Sequence, residues 1–137
     1  MNYWLLKSEP YEYSYSDLQK DGETKWTGIR NYRARNNLKL MEVGDLAFFY
    51  HSNVGKEIVG IVKITKEYYQ DSTTDQVAWV SVDFAPVKEL NKPVTLAQVK
   101  SDPKLKDFEL IKLSRLSVAS VKKSEWDYIL KISDTKL

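Results

Sequence analysis

The sequence predicts an α+β fold in which about five or six short strands, mixed or antiparallel, form a small barrel flanked by short helices. Several separate runs of residues are apolar or alternate between apolar and polar, as β-strands require. Two capping-box patterns, Ser14–Asp17 and Thr95–Gln98, mark the starts of short helices between those runs. A sheet with so few strands usually hides its edges by closing into a small barrel.

The first part of the chain is predicted to hold one strand and two helices. Tyr3–Ser8 is a short apolar run and predicts the first strand. The first helix opens at the Ser14 capping box and ends near Gly22. The second helix covers Asn31–Met41. Its inward-facing stripe consists of three apolar residues: Ala34, Leu38 and Met41.

The rest of the chain is predicted to hold the remaining strands and two more helices. In order, we expect strands at Leu46–Ser52, Glu57–Thr65 and Ala78–Leu90, a helix from Thr95, a strand at Leu113–Val121 and a helix from Ser124. The first two of these strands should pair through a turn at Asn53–Lys56, which carries hairpin-type residues. No repeat or linker divides the chain.

Length and composition narrow the classes of protein. A chain of 137 residues is expected to form a single domain, residues 1–137. Cysteine is absent and His51 is the only histidine, which excludes a zinc knuckle, a thiol nucleophile and a site built on several imidazoles. We therefore expect no metal and no cofactor. The N-terminus lacks signal-peptide character and no run suits a membrane span, so we expect a cytoplasmic monomer.

The positive charge of the chain is concentrated in two stretches. Lys25–Met41 contains five basic residues and Ile111–Ser124 contains four, and neither stretch contains an acidic residue. Since the formal net charge is only +2, any attraction to nucleic acid must come from this local charge.

The first basic stretch contains a tryptophan outside any apolar period. Trp26 is either a lid on the core or the wall of a binding pocket. With Arg30, it offers a flat apolar face and a phosphate contact, which are the groups that bind a single nucleobase. Arg33 fits either a solvated helix face or a phosphate contact. We expect Trp26→Ala to remove base preference at little cost in thermal stability.

An enzymatic alternative rests on two residues. The chain has no G-x-S-x-G, P-loop, G-x-G-x-x-G or H-E-x-x-H motif. His51 fits a hydrogen-bonded strand end, a pocket lining or an acid–base group, and Glu9 fits a pocket, a structural hydrogen bond or plain exposure. The alternative function is a small enzyme that acts on a nucleotide or RNA base, with His51 or Glu9 as its acid–base group.

Four segments together carry a resemblance to a known family. They are YWLLKSEP (residues 3–10), WTGIRNYRARNNLKLMEVGDLAFFYHS (26–52), IVGIVKITKEYYQD (58–71) and RLSV (115–118). They resemble the EVE domain family, of the thymocyte nuclear protein type, over nearly the whole chain. The departures are mild, with Ile29 in place of a usual valine and Gln70 in place of a more familiar proline.

This resemblance implies a PUA-like fold, related to the YTH, ASCH and SRA modules, and a non-catalytic reader of modified bases in DNA or RNA. By analogy with YTH domains, a methylated or otherwise substituted base would be flipped into an aromatic pocket. Trp26 would be one wall and Trp79 a second. The other expected pocket residues are Ser8, Gly28, Asn31, Tyr50, His51 and Ser52. The expected phosphate contacts are Arg30, Arg33 and Arg115.

Overall fold

The computed structural model describes all 137 residues as a mixed sheet with short helices. The strands are β1 (Tyr3–Ser8), β2 (Thr24–Lys25), β3 (Leu46–His51), β4 (Glu57–Gln70), β5 (Val80–Thr95) and β6 (Val118–Val121). The helices are α1 (Tyr15–Asp21), α2 (Tyr32–Leu40), α3 (Leu96–Ser101), α4 (Glu109–Lys112) and α5 (Lys123–Ile132), with a 3-10 turn at Pro103–Leu105. None of these helices combines the length and the hydropathy that a membrane-spanning helix requires.

The six strands form one sheet in the order β2-β5-β4-β3-β1-β6. The β1–β3 pair is parallel and every other pair is antiparallel, which confirms the mixed α+β class. The chain between the parallel strands contains α1, β2 and α2. As a result, the end of β1 and the end of β3 lie side by side, with Ser8 opposite His51.

The β4–β5 hairpin is longer than the sequence predicts. The pairing register shifts at four points along it, and such bulges bend a strand and increase its twist. Residues 66–70 extend β4 beyond the predicted end, and Lys66, Glu67 and Tyr68 there are exposed. Because that part of the hairpin covers no core, residues 66–70 lack the apolar alternation by which a strand is predicted.

Helix α1 packs on the sheet where a glycine leaves room for it. Tyr15 is buried, and its hydroxyl donates a 2.8 Å hydrogen bond to the carbonyl oxygen of Ile61. A Cβ atom placed on Gly60 would lie 2.4 Å from the Tyr15 ring, so only glycine allows this close approach. The helix is thereby fixed against β4, beside the ends of β1 and β3.

The predicted helix starts are confirmed, and the short elements were missed. Both capping boxes form, at Ser14 and at Thr95. Strand β2, the 3-10 turn and α4 have no apolar period long enough to be recognised. The final strand spans only the last four residues of its predicted range, and residues 113–117 form a loop instead. That loop borders the site described below.

Candidate functional site

A cleft of about 510 Å³ lies at the carboxyl end of β1. It is enclosed by the turn after β1, the segment that contains β2, and the loop before β6. Its lining residues are Lys7, Ser8, Glu9, Glu12, Tyr13, Thr24, Lys25, Trp26, Thr27, Ser52, Arg115 and Ser117. Four expected site residues, Ser8, Trp26, Ser52 and Arg115, therefore meet in one place.

The turn after β1 forms one wall of the cleft. The backbone N–H groups of Glu12 and Tyr13 both donate to the carbonyl oxygen of Glu9. The buried Ser8 hydroxyl donates a 2.5 Å hydrogen bond to the carbonyl oxygen of Tyr13, which ties the turn to the strand end. Glu9 also accepts a hydrogen bond from the Asn53 amide of the neighbouring β3–β4 turn. The wall is therefore held by internal hydrogen bonds before any ligand binds.

The Trp26 ring packs on the core and also borders the cleft. Its ring centroid lies 5.3 Å from Phe84 and 6.1 Å from both Phe49 and Tyr13, and its backbone N–H donates to Val82. The indole Nε1 is buried without a hydrogen-bond partner. Because the ring packs on two core phenylalanines, the structure predicts that Trp26→Ala costs stability, contrary to the expectation from the sequence. The ring is a lid on the core whose other side borders the cleft.

The cleft is lined by three cations that form no ion pair with a carboxylate of the chain, although Glu9 and Glu12 also border it. The four ion pairs of the structure involve neither Lys7, Lys25 nor Arg115. The Lys7 ammonium donates a 2.8 Å hydrogen bond to the carbonyl oxygen of Ser114, and burial lowers its pKa. An anion that entered the cleft would meet these cations directly.

A buried carboxylate holds the loop after Trp26. Asp71 accepts hydrogen bonds from the Gly28 backbone (2.8 Å), from the Arg30 guanidinium (3.0 Å) and from the Thr73 backbone (2.7 Å) and hydroxyl (2.6 Å). Burial alone would raise the pKa of Asp71, but these hydrogen bonds outweigh it and hold the pKa well below its usual range. Gly28 and Arg30 lie outside the cleft lining, where they fix the loop to the end of β4.

Two other expected site residues lie at the start of α2. Asn31 caps the helix, since its side-chain oxygen accepts from the Ala34 N–H at 2.9 Å. Arg33 pairs with Glu109 at 3.9 Å. Both residues border a shallow groove of about 290 Å³ that adjoins the cleft through Arg115.

The expected site residues Tyr50, His51 and Ser52 are consecutive in the chain but have different surroundings. His51 lies outside the cleft lining, and its Nε2 accepts a 3.1 Å hydrogen bond from the Tyr15 backbone N–H. Burial lowers the pKa of His51, and the nearby Glu57 carboxylate offsets only part of that effect. Tyr50 borders a second cleft, and Ser52 borders both clefts.

Trp79 lies outside the cleft, so the structure does not bring it together with Trp26. Its ring packs at 4.9 Å on Tyr32, the Arg30 guanidinium lies 5.7 Å from its centroid, and its Nε1 donates to Gln76. The second aromatic ring in the cleft lining is instead Tyr13. Sequence reasoning missed Tyr13 because it lies in a turn with no periodic pattern.

The proposed acid–base groups do not meet in the cleft. Glu9 borders it, whereas the His51 imidazole is held under α1 by its bond to Tyr15. No group of three or more histidine or acidic side chains is arranged to hold a metal ion. The cleft lining combines two aromatic rings, three cations and the carboxylates of Glu9 and Glu12.

Comparison with known proteins identifies the family. The EVE domain profile matches residues 2–132, which is nearly the whole chain. The chain belongs to the EVE domain family. Thymocyte nuclear protein 1 of mouse is 34% identical over 98% of the chain and 75% of its own length, and that of zebrafish is 35% identical over 96% and 71%. The name of these relatives does not support the expected cytoplasmic location.

Solved structures agree with this EVE domain over its whole length. A protein of Agrobacterium tumefaciens is 40% identical with a TM-score of 0.97, over 98% of this chain and 94% of that one. The human protein THYN1, in complex with DNA that contains 5-methylcytosine, is 32% identical with a TM-score of 0.92 over 100% of both chains. An ASCH protein of Zymomonas mobilis shares only the fold, at 10% identity and a TM-score of 0.61, over 96% of this chain and 99% of that one.

Proposed function

We propose that this EVE domain is a non-catalytic module that binds nucleic acid as a monomer and receives one modified base in the cleft beside Trp26. We call this cleft the base cleft. The observation that carries the proposal is the full-length likeness to the human relative that binds DNA containing 5-methylcytosine. The cleft supports it independently, because an aromatic ring borders it together with cations that have no carboxylate partner.

The energies of base binding show why the cations of the cleft are needed. Stacking a base on an aromatic side chain contributes about 1–3 kcal/mol. Flipping that base out of a duplex costs a few kcal/mol, which cancels most of this gain. Phosphate contacts from Lys25 and Arg115 would then make binding favourable overall. Affinity should consequently fall steeply as salt is added.

The preference for a modified base has a predictable size. Burying one methyl group is worth about 0.8 kcal/mol by transfer, or roughly fourfold in affinity. A pocket shaped around that methyl group raises the discrimination to about 1–3 kcal/mol. We therefore expect a preference for 5-methylcytosine over cytosine of about 5- to 150-fold, from the same range. RNA with the same modification is a second ligand for this cleft.

The cytoplasmic location of the protein stays a prediction.

The enzymatic alternative has less support than binding. His51 already uses Nε2 to accept the Tyr15 N–H, and it does not border the cleft. Glu9 accepts a hydrogen bond from Asn53 at the same time as it borders the cleft. A base reader needs no proton transfer, so these occupied groups present no difficulty for it.

A binding panel tests the proposal. Fluorescence anisotropy would compare matched DNA and RNA oligonucleotides, with one central 5-methylcytosine or cytosine, at about 50 and 200 mM salt. We expect tighter binding of the modified strand and a strong salt dependence. As a control, the variant Lys131→Gln removes the charge of an exposed lysine that borders neither cleft, and it should bind every strand as the wild type does. Equal affinity for modified and plain strands would refute base reading, and release of a chemically altered oligonucleotide would favour the enzyme.

A further inference from the structure

A second cleft of about 340 Å³ adjoins the first one. Its lining consists of Lys7, Tyr50, Ser52, Asn53, Lys56, Leu96, Lys100, Leu110, Ile111 and Ser114. Lys7 and Ser52 border both clefts, so the two clefts adjoin at these residues. We call this second space the lysine cleft.

The lysine cleft is cationic with no acidic residue in its lining. Lys7, Lys56 and Lys100 all border it, and none of them takes part in the four ion pairs of the structure. The first cleft differs, because Glu9 and Glu12 border it. Three ammonium groups without a carboxylate repel one another, and an anion between them would relieve that repulsion.

Ordered backbone holds two of these lysines in position. Lys56 ends the β3–β4 turn in a left-handed conformation, with φ of 49°, which residues other than glycine rarely adopt. Its carbonyl oxygen accepts a 2.8 Å hydrogen bond from the N–H of Leu96, the first residue of α3. Lys100 lies in the last turn of the same helix. The turn and α3 therefore place both cations on the rim of one cleft.

The floor of the lysine cleft suits the remainder of a nucleotide. Leu96, Leu110 and Ile111 provide apolar side chains, and Tyr50 provides a ring and a hydroxyl. Burial raises the pKa of Tyr50, so its hydroxyl stays a protonated donor at neutral pH. A nucleotide presents an anionic phosphate together with less polar sugar and base faces, and the volume lies within the usual range of about 300–1,000 Å³ for small-ligand sites.

We propose that the lysine cleft binds the nucleotide next to the modified base, with Lys56 and Lys100 on its phosphodiester group. The bound strand would then cross from one cleft to the other over Lys7, which borders both. This proposal rests on the nucleic-acid-binding function above and extends it, because it assigns a path to the strand outside the base cleft. Nothing in the base cleft itself requires Lys56 or Lys100.

The test combines strand extension with charge removal. 5-Methyl-2′-deoxycytidine, which has no neighbouring nucleotide, is compared with strands extended by one or more nucleotides on the 5′ side or on the 3′ side, for the wild type and for the K56Q/K100Q variant. The matched control is K92Q/K131Q, which removes two exposed lysines that border neither cleft. Circular dichroism melting verifies that each variant folds. Lys100→Gln alone replaces the double variant if the strained turn does not tolerate Lys56→Gln.

We expect extension on one side to tighten binding to the wild type and to the control, and this gain to be lost in K56Q/K100Q. For a single strand, each lost phosphate contact lowers the salt slope by about 0.7. Because both lysines contact one phosphodiester group, the ratio of affinities at 50 and 200 mM salt should then shrink by about 2.6-fold in the double variant. If K56Q/K100Q keeps both the extension gain and the wild-type salt slope, the lysine cleft is not on the path of the strand.

The results separate this inference from the proposed function. A lost salt slope without any preference for 5-methylcytosine would support the lysine cleft while refuting base reading. A clear preference for 5-methylcytosine, with a salt slope in K56Q/K100Q equal to that of the wild type, would support base reading while refuting the lysine cleft. Absence of binding to every strand at the lower salt concentration would overturn both proposals.

Discussion

The backbone N–H of Tyr15 donates a 3.1 Å hydrogen bond to Nε2 of His51, which joins the first residue of α1 to the last residue of β3. An imidazole nitrogen can accept a hydrogen bond only while it is unprotonated. The fold therefore requires neutral His51, and burial lowers the pKa of this residue accordingly. His51 anchors the helix that lies beside the base cleft.

The first prediction is a loss of stability below about pH 6.5. The pKa of His51 is lower in the folded chain than in the unfolded chain, so the unfolded chain binds more protons between the two values. The free energy of unfolding should be constant above that window, fall as the pH drops through it, and level off below the folded pKa. Urea unfolding at several pH values between about 5 and 8 measures this decline.

The control for this prediction is His51→Gln. Since His51 is the only histidine, no other side chain has an ordinary pKa in this window. Glutamine offers an oxygen acceptor that does not titrate, so the variant should show a flat pH profile whatever its absolute stability. A variant that declines as steeply as the wild type would show that the Tyr15–His51 bond is not the cause.

The second prediction concerns Asp71→Asn. Both carboxylate oxygens of Asp71 accept from two donors each, so either orientation of an asparagine amide would turn its NH₂ group toward N–H or O–H donors. We expect a loss of about 1–3 kcal/mol in the free energy of unfolding. Since the Arg30 side chain is 40% exposed, most of this loss should come from the bonds to Gly28 and Thr73.

Asp75→Asn is the matched control for Asp71→Asn, because it makes the same chemical change at an exposed position of the same loop. It should change the free energy of unfolding by less than about 0.5 kcal/mol. Similar values for the two variants in urea unfolding would show that the buried carboxylate does not hold the Gly28–Arg30 loop.

The fold was predictable where local chemistry decides the structure. The capping boxes at Ser14 and Thr95 are complete in the sequence, because cap and partner lie three residues apart. The loop at 113–117 was mistaken for strand, since its apolar residues suit either structure. The backbone N–H of Lys7 bonds to the carbonyl of Ser117 at 3.0 Å, and its ammonium bonds to that of Ser114. Contacts between residues so far apart in the chain leave no recognisable pattern in the sequence of residues 113–117.

The site was predictable only in part, for the same reason. Ser8, Trp26, Ser52 and Arg115 converge because the β1–β3 pairing and the loop before β6 bring distant segments together. Arg30 was expected on phosphate, but its partner Asp71 lies 41 positions away along the chain. A basic residue in a cationic stretch can find its carboxylate elsewhere in the fold, and the stretch alone does not show this.

The third prediction separates the two roles of Trp26. Trp26→Ala should lower the free energy of unfolding by about 2–4 kcal/mol, because the ring packs on Phe49 and Phe84. Trp26→Phe keeps an aromatic ring and removes the unpartnered indole N–H, so it should cost less than about 1.5 kcal/mol. It presents a smaller face to a base and should therefore weaken binding of 5-methylcytosine strands.

Trp79→Phe is the comparison for Trp26→Phe, since Trp79 lies outside the base cleft. It should leave the ratio of affinities for modified and plain strands at the wild-type value. Should Trp79→Phe reduce this ratio as much as Trp26→Phe does, the base would have to lie near Trp79 instead, as the second-wall hypothesis holds.

The fourth prediction compares Arg115 with Arg33, which adjoin the same shallow groove. Arg115 also borders the base cleft and has no carboxylate partner, whereas Arg33 lies 3.9 Å from Glu109. Arg115→Gln should weaken modified and plain strands alike and lower the salt slope by about 0.7–0.9. Arg33→Gln removes the same charge from the chain but should change the slope less, because Glu109 already neutralises it. Equal slopes for the two variants would mean that total charge, and not the position of Arg115 on the cleft, governs binding.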